Sequence, residues 1–249
     1  MNATPPLRVA MWSGPRNIST AMMRAWENRG DCAVSDEPFY AAYLAATGLD
    51  HPGRAEIVAA GNTDFDRVAQ ALAVGPAPGA LPLWYQKHMT HHLLPGKSTA
   101  WVHGLANVFL IRDPAHVVES YLKSRATVAP ADIGLLQQVD LFDAVSDRLG
   151  ISPPVIDADD FLRAPRAFLQ ALCGRLGIDF TDRMLAWPAG RRESDGIWAP
   201  YWYDAVWQST GFEPWRPRSP QLQGEALRVA EACRPAYERL HGHRMLPAA

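Results

Sequence analysis

This sequence has few cysteines, short apolar runs and a small net charge. The three cysteines, Cys32, Cys173 and Cys233, are widely separated and form neither a metal-ligand pair nor a disulfide framework, so we expect small buried side chains there. No apolar run approaches the roughly 20 residues of a membrane span, and the N-terminus lacks the basic and apolar regions of a signal peptide. The formal net charge of −2 argues against nucleic-acid binding by bulk electrostatics. We therefore expect a soluble, cytoplasmic protein with neither a membrane nor a nucleic-acid partner.

The hydrophobic pattern predicts an α/β fold. With 249 residues, 48% of them hydrophobic, the chain is long enough for one domain with a sizeable core, spanning residues 1–249. Short apolar runs predict strands at residues 7–12, 32–35, 83–86, 107–111 and 154–156. Helices are predicted at residues 19–28, 38–46, 65–73, 114–125, 132–149, 165–176 and 221–240, the last kinked at Pro235, and a loop at 50–61. Because strands alternate with helices, we expect a three-layer sandwich in which helices cover both faces of a central parallel sheet.

A phosphate-binding strand-loop-helix is predicted near the N-terminus. An apolar strand ends before Gly14, and a helix begins near Ser19 and Thr20. The free N–H groups of the first helical turn and the positive end of the helix dipole attract an anion. Arg16 adds a forked cation that matches a tetrahedral oxyanion. The predicted phosphate-binding residues are Pro15, Arg16, Asn17, Ile18, Ser19 and Thr20.

A second arginine follows another predicted strand. Arg112 comes directly after residues 107–111, where the ligands of parallel α/β sheets gather. Asp113 is a suitable N-cap and Pro114 a suitable first residue of the next helix. Ser120, eight residues after Arg112, lies about two turns into that helix. Arg112 and Ser120 can therefore face the same cleft.

Together these two segments resemble the sulfotransferases that use 3′-phosphoadenosine 5′-phosphosulfate, PAPS. That family carries a Pro-Lys-Ser-Gly-Thr-Thr loop for the 5′-phosphosulfate, with which residues 15–20 align, and an Arg and a Ser eight residues apart for the 3′-phosphate, matched by Arg112 and Ser120. Residues 157–165 resemble its acidic-Leu-Pro segment, so the resemblance spans roughly residues 7–180. It implies PAPS as donor, adenosine 3′,5′-bisphosphate (PAP) as product, and no metal.

The chain departs from the family pattern at three places. Arg16 replaces the usual Lys, which keeps a cation but changes its shape. Ile18 replaces the usual Gly, and a β-branched residue resists positive φ, so we expect Gly14 or Asn17 to supply the left-handed residue of the loop. The family's later Arg-Lys-Gly segment has Arg191 and Arg192 as its nearest match, and these are the remaining predicted donor-binding residues.

Two candidates exist for the catalytic base. Glu37 follows the second predicted strand, and in some bacterial relatives a Glu beside Pro is the proposed base. His88 follows the third, where many family members place Lys-x-His, with His as base and Lys at the bridging oxygen. Because His88 directly follows Lys87, only one of the two can occupy its family position. Glu37 is the first choice, with Lys87 and Arg16 as further catalytic residues. His91 and His92 can reach the same cleft if their turn is helical.

The last third of the chain is rich in tryptophan. Trp187, Trp198, Trp202, Trp207 and Trp215 alternate with Pro and Tyr. They form either a packed aromatic flap or, through Tyr201, Trp202 and Trp207, a wall of the acceptor pocket or a cover for the donor's adenine.

The leading hypothesis is sulfuryl transfer from PAPS to a hydroxyl or amine of a small acceptor, by a monomer or homodimer. A P-loop kinase is the alternative, with magnesium between Ser19 or Thr20 and Asp36, although the Gly-Lys-Ser/Thr ending of a Walker loop is missing. A third possibility is a non-catalytic nucleotide-binding module, which Ile18 and the missing Arg-Lys-Gly segment favour.

Overall fold

Five parallel strands form the central sheet of the chain, in a computed structural model that describes residues 5–247. Residues 1–4 and 248–249, which belong to the expected single domain, lie outside the described part. The strands are β1 (Leu7–Ser13), β2 (Cys32–Asp36), β3 (Leu83–Met89), β4 (Ala106–Ile111) and β5 (Val155–Asp157). They lie in the order β2-β3-β1-β4-β5, and every pairing is parallel. All five carboxyl ends therefore meet at one edge, with β1 in the middle.

Helices cover both faces of this sheet, which confirms the predicted α/β sandwich. They are α1 (Ser19–Glu27), α2 (Tyr40–Thr47), α3 (Arg54–Ala60), α4 (Phe65–Val74), α5 (Pro114–Tyr121), α6 (Pro130–Ile133), α7 (Leu135–Leu149), α8 (Ala158–Arg163), α9 (Pro165–Leu176), α10 (Ala199–Trp202), α11 (Asp204–Gln208) and α12 (Gly224–His241). One core joins α1, α8 and α9 to the sheet, and a second joins α5, α7 and α12 to its other face.

The alternation of side chains along β1 explains both cores. Val9 and Met11 belong to the first core, whereas Ala10 and Trp12 belong to the second, because successive side chains of a strand point to opposite faces. All four are fully buried. The strand therefore reads as a continuous apolar run, as expected for a central strand covered on both sides.

Three predicted boundaries are wrong for identifiable reasons. Residues 54–60 form helix α3 rather than a loop, because Ile57 is buried against α2. The helix predicted at residues 132–149 is divided at Gly134, whose φ of 74° ends α6 and begins α7. Strand β3 extends to Met89, so that Lys87 and His88 lie within the strand instead of after it.

Two smaller predictions are confirmed. Asp113 caps α5 by accepting a hydrogen bond from the Ala115 N–H at 2.8 Å, and the three cysteines are free and buried. Helix α12 contains Pro235, and the kink expected there stays a prediction. Within residues 5–247, the helices all lack the combination of length and apolarity that crossing a bilayer requires.

Gly14 is required by close packing. A Cβ at this position would lie 2.3 Å from the carbonyl oxygen of Ile133, so Gly14→Ala forces the loop after β1 away from α6. We expect this variant to lose about 1–3 kcal/mol of unfolding free energy, measured by urea denaturation. Gly174→Ala is the matched control, since its Cβ meets nothing within 4 Å and it lies inside α9. It should be neutral or stabilising. Equal stability of Gly14→Ala and the wild-type chain would contradict this account.

Candidate functional site

A cavity of about 350 Å³ lies at the carboxyl edge of the sheet. Its wall combines the loop after β1, the ends of β2 and β3, Arg112 after β4, the end of α5 with the turn that follows it, and the segment around α10 and α11. Ten of the predicted site residues line it together: Pro15, Arg16, Asn17, Ile18, Ser19, Thr20, Glu37, Lys87, Arg112 and Ser120. The parallel sheet brings them together because residues that follow parallel strands gather at one edge.

The loop between β1 and α1 takes a different path from the one expected. Arg16 has a φ of 54°, and it supplies the left-handed residue that was predicted at Gly14 or Asn17. Asn17 fixes the loop, since its Oδ1 accepts from the Ile18 N–H at 2.9 Å and its Nδ2 donates to the Leu110 carbonyl at 3.2 Å. Ile18 has a φ of −84°. The β-branched residue therefore fits without strain where the family has Gly.

The N-terminus of α1 faces this cavity without a cap of its own. No side chain among the described residues caps the helix at Ile18, and the first-turn N–H groups of Ser19, Thr20 and Ala21 have no acceptor within the helix itself. All three residues line the cavity. The free N–H groups and the positive end of the helix dipole make this wall suitable for an anion.

Two arginines converge beside that helix end. Arg16 Nε donates to Ser120 Oγ at 3.1 Å, and Arg112 Nη1 donates to the Arg16 carbonyl at 2.9 Å. Among the described residues, neither guanidinium has a carboxylate oxygen within 4.0 Å, and the buried Nε of Arg112 has no partner. Burial lowers the pKa of both side chains, yet arginine stays charged. This end of the cavity is therefore positive and has hydrogen-bond donors to offer.

A buried ionic cluster forms the floor of the cavity. Lys87 Nζ donates to Asp36 Oδ1 at 2.9 Å, to Glu37 Oε1 at 2.8 Å and to the Tyr203 hydroxyl at 2.6 Å. The Tyr203 hydroxyl donates in turn to Asp36, with distances of 2.9 and 2.7 Å to its two oxygens. Asp36 and Glu37 together raise the pKa of Lys87 well above its ordinary value, although burial alone would lower it. The ammonium is therefore charged.

Glu37 connects this cluster to the open cavity. Its side chain is 12% exposed, compared with 1% for Lys87, and its backbone is left-handed with a φ of 39°. Burial raises the pKa of the Glu37 carboxyl above its ordinary value of 4.5, against the opposing effect of Lys87. A carboxylate with a raised pKa at a cavity wall is suited to accept a proton.

His88, the other candidate base, lies outside the cavity lining. Strand β3 places Lys87 and His88 on opposite faces of the sheet, and His88 stacks on Trp12 with ring centroids 4.3 Å apart. It is 1% exposed, its Nε2 lies 3.2 Å from Gln86 Oε1, and burial lowers its pKa to about 3. The position corresponds to a neutral core histidine, so the geometry favours Glu37.

Arg191 and Arg192 also lie outside the cavity lining. The Arg191 guanidinium lies 4.3 Å from the ring centroid of Trp207. Arg192 Nε is 3.6 Å from Glu27, and its N–H donates to Asp195 at 2.9 Å. These contacts order the C-terminal segment, and the structure does not bring the pair to the other predicted donor residues.

Aromatic and imidazole rings form another part of the cavity wall. His92 stacks between Tyr40 and Tyr43, at centroid distances of 4.8 and 4.7 Å, and the Tyr40 hydroxyl lies 2.8 Å from His51 Nδ1. His91 and His92, in the short 3-10 turn after β3, line the cavity as expected for a helical turn. Burial lowers the pKa of His91 to about 3 and that of His92 further. The wall therefore carries neutral imidazoles.

The tryptophan-rich segment divides between the two predicted roles. Trp187 and Trp198 are buried in the core, whereas Trp202 lines the cavity. Tyr201 is 50% exposed, and Trp207 instead donates to Asp195 at 3.0 Å. Tyr203 is a site residue that the sequence pattern did not predict. It is 116 positions from Lys87, and no local motif marks it.

Asp36 has donors on both carboxylate oxygens. Besides Lys87 and Tyr203, the Gly196 N–H donates to its Oδ2 at 3.0 Å. The magnesium site predicted for a kinase between Ser19 or Thr20 and Asp36 is therefore disfavoured, because those lone pairs are occupied by N–H and O–H donors. Within residues 5–247, no group of three or more His, Cys, Asp and Glu side chains has the arrangement of a metal site.

Comparison with known proteins agrees with this arrangement. Residues 7–243 match the family described as a sulfotransferase domain. Two Arabidopsis thaliana proteins named branched-chain-amino-acid aminotransferase-like protein 2 and protein 1 are each 34% identical, over 93% and 96% of this chain. The chain spans only 41% and 42% of their lengths, so their names describe much longer proteins.

Solved structures share the fold at low sequence identity. A sulfotransferase from Alicyclobacillus acidocaldarius has a TM-score of 0.58 and 13% identity, with 98% of each chain covered. The sulfotransferase domain of the Synechococcus PCC 7002 olefin synthase has a TM-score of 0.51 and 17% identity, with 93% of this chain and 96% of that chain covered. Because the family match extends over residues 7–243, nearly the whole chain, the chain belongs to the family of sulfotransferase domains.

Proposed function

We propose that this chain transfers a sulfuryl group from PAPS to a hydroxyl or amine of a small acceptor. One observation carries the proposal: Arg16, Arg112 and Ser120 meet at a single cavity, linked by hydrogen bonds of 3.1 and 2.9 Å. Two cations without carboxylate partners, next to an uncapped helix N-terminus, suit a ligand with two separate anionic groups. PAPS has such groups at its 5′ and 3′ positions.

The residues present fit the two ends of that donor. The N–H groups of Ser19, Thr20 and Ala21, with the Arg16 guanidinium, are suited to the 5′-phosphosulfate. Arg112, whose buried Nε lacks a partner, and Ser120 are suited to the 3′-phosphate. The donor supplies an activated sulfuryl group when bound, so that the protein needs no covalent intermediate.

The reaction requires one proton acceptor and stabilisation of one leaving group. The acceptor oxygen or nitrogen forms a bond to sulfur, while the bond between sulfur and the 5′-phosphate oxygen breaks and its electron pair stays on the phosphate. Glu37 takes the proton that the acceptor loses. Arg16 and the first-turn N–H groups stabilise the charge that develops on the phosphate. Lys87 holds the Glu37 carboxylate in place at 2.8 Å.

Donor binding can be tested by thermal shift. At a hundredfold excess over its Kd, adenosine 3′,5′-bisphosphate should stabilise the chain by about 2.7 kcal/mol, a rise of several degrees in Tm. Arg112→Ala should lose this rise. Arg67→Ala is the matched control, since that side chain is 80% exposed and distant from the cavity lining. Stabilisation by ATP with magnesium but not by the bisphosphate would instead support the kinase alternative.

Glu37 can be tested through the pH dependence of turnover. With a phenol that the wild-type chain sulfates, kcat should fall as pH drops through the pKa of Glu37, because the base must be ionised. Since burial raises that pKa, the acidic limb should lie above pH 4.5. Glu37→Gln should lower kcat by about 10²–10⁴-fold and remove the limb, with bisphosphate binding retained.

His88→Asn is the control for this assignment. It removes an imidazole that lies outside the cavity lining, and it should keep the acidic limb. Full turnover in Glu37→Gln together with inactivity of a folded His88→Asn chain would reverse the roles of the two residues. If the chain is a non-catalytic module, it should bind the bisphosphate but transfer no sulfuryl group to any acceptor.

Tyr203 can be tested as a positioning residue. Tyr203→Phe removes a hydroxyl that accepts from Lys87 and donates to Asp36, and we expect a loss of about 1.5–3 kcal/mol of unfolding free energy. With fewer hydrogen bonds to hold Lys87, the acidic limb of the pH profile should also shift. Tyr201→Phe is the control, because its ring is half exposed. A Tyr203→Phe chain with unchanged stability and pH profile would exclude this role.

A further inference from the structure

The cavity has one more cation than the proposed donor requires. Its lining includes Arg16, Lys87, Arg112 and Arg125. Lys87 is neutralised by Asp36 and Glu37, and Arg16 and Arg112 serve the two anionic ends of the donor under the proposed function. Arg125 remains. Within residues 5–247, no carboxylate oxygen lies within 4.0 Å of its guanidinium. Its Nη1 donates to the Asp50 carbonyl at 3.4 Å, and its side chain also interacts with the Tyr121 hydroxyl.

Arg125 lies on the acceptor side of the cavity. Its N–H donates to the Tyr121 carbonyl at 3.1 Å, so it continues the helical path of α5 beyond Ser120. The two residues are five positions apart, and the chain between Tyr121 and Arg125 forms a turn. The guanidinium acts electrostatically on Tyr40, Tyr43 and His51. Arg125 therefore belongs to the aromatic wall.

The other groups of this wall offer a ligand no formal charge. Burial keeps His91 and His92 neutral and lowers the pKa of His51. Met89, Trp202 and Val206 add apolar surface. Asp132 acts electrostatically on Tyr43, Tyr121 and His51, but its Oδ2 accepts from the Ala129 N–H at 2.8 Å, and Asp132 does not line the cavity. A flat, apolar body can thus stack on this wall, with its one charge-specific contact at Arg125.

We propose that the acceptor is a hydroxylated planar or apolar molecule that ends in an anionic group, such as a carboxylate, bound by Arg125. Its hydroxyl lies toward Glu37 and Lys87, and its anionic end lies at Arg125, in the turn after α5. This inference rests on the proposed function, since it assigns the other two arginines to the donor.

Three phenols that share a 4-ethylphenol body and differ in the charged group at its end test the proposal. They are 3-(4-hydroxyphenyl)propanoate (anionic), 4-ethylphenol (neutral) and tyramine (cationic), titrated by calorimetry into the chain with and without saturating adenosine 3′,5′-bisphosphate. We expect the anionic phenol to bind about tenfold more tightly than the neutral one, as a partly buried charged hydrogen bond provides. The cationic phenol should bind most weakly. The preference should weaken with added salt.

Arg125→Gln should remove the preference for the anionic phenol while leaving the affinities for 4-ethylphenol and the bisphosphate unchanged. Lys123→Gln is the matched control: it removes a cation two residues away, exposed and outside the cavity lining, and should keep the preference. Arg125→Lys should retain part of this preference.

Equal binding of the anionic and neutral phenols, unaltered anion binding in Arg125→Gln, or failure of all three phenols to bind would overturn the proposal. Bisphosphate binding reports separately on the donor site. If the bisphosphate does not bind, that result counts against the proposed function, while the phenol affinities measured without bisphosphate still test the role of Arg125.

Discussion

The buried ammonium of Lys87 is the interaction on which the site depends. It connects β3 to the end of β2 through Asp36 and Glu37, and to the segment between α10 and α11 through Tyr203. One cation faces two carboxylates, so charge compensation is incomplete, and burial disfavours the second negative charge. Burial, and to a smaller extent the neighbouring Asp36 carboxylate, raises the pKa of Glu37 against the opposing effect of Lys87. Removal of one partner of such a buried pair costs about 3–5 kcal/mol because the remaining charge is stranded.

The charges that line the cavity fall into three groups. Arg16 and Arg112 lie beside the uncapped end of α1, Lys87 forms a cluster with Asp36 and Glu37, and Arg125 follows the end of α5. A ligand anion beside Arg16, Arg112 or Arg125 meets a cation that has no carboxylate partner within 4.0 Å among the described residues, whereas the Lys87 cluster keeps the carboxylate of Glu37 at the cavity wall.

The sequence predicts the fold and the meeting of Arg16 and Arg112 at one cavity, because both depend on local pattern. Apolar runs and helical periodicity define the strands, and the parallel sheet then gathers Arg16 and Arg112 at one edge. Tyr203 and Arg125 could not be predicted in the same way, since their roles arise from contacts between distant parts of the chain. Strand β3 is the informative case: its three extra residues place Lys87 and His88 on opposite faces, and this alternation separates a cavity-lining cation from a core histidine.

Backbone strain is concentrated at the residues that carry the proposed chemistry. Of the non-glycine residues with positive φ in the described chain, Arg16 and Glu37 line the cavity, and Ala80 lies in a distant turn. A left-handed residue with a side chain costs of order 1–3 kcal/mol and persists only where its surroundings hold it. The Glu37 N–H donates to the Lys87 carbonyl at 2.9 Å, and the Arg16 carbonyl accepts from Arg112 at 2.9 Å. Each strained residue is therefore held by a backbone hydrogen bond to Lys87 or by the side chain of Arg112, so the backbone that carries the proposed leaving-group cation and the proposed base is held by contacts within the protein.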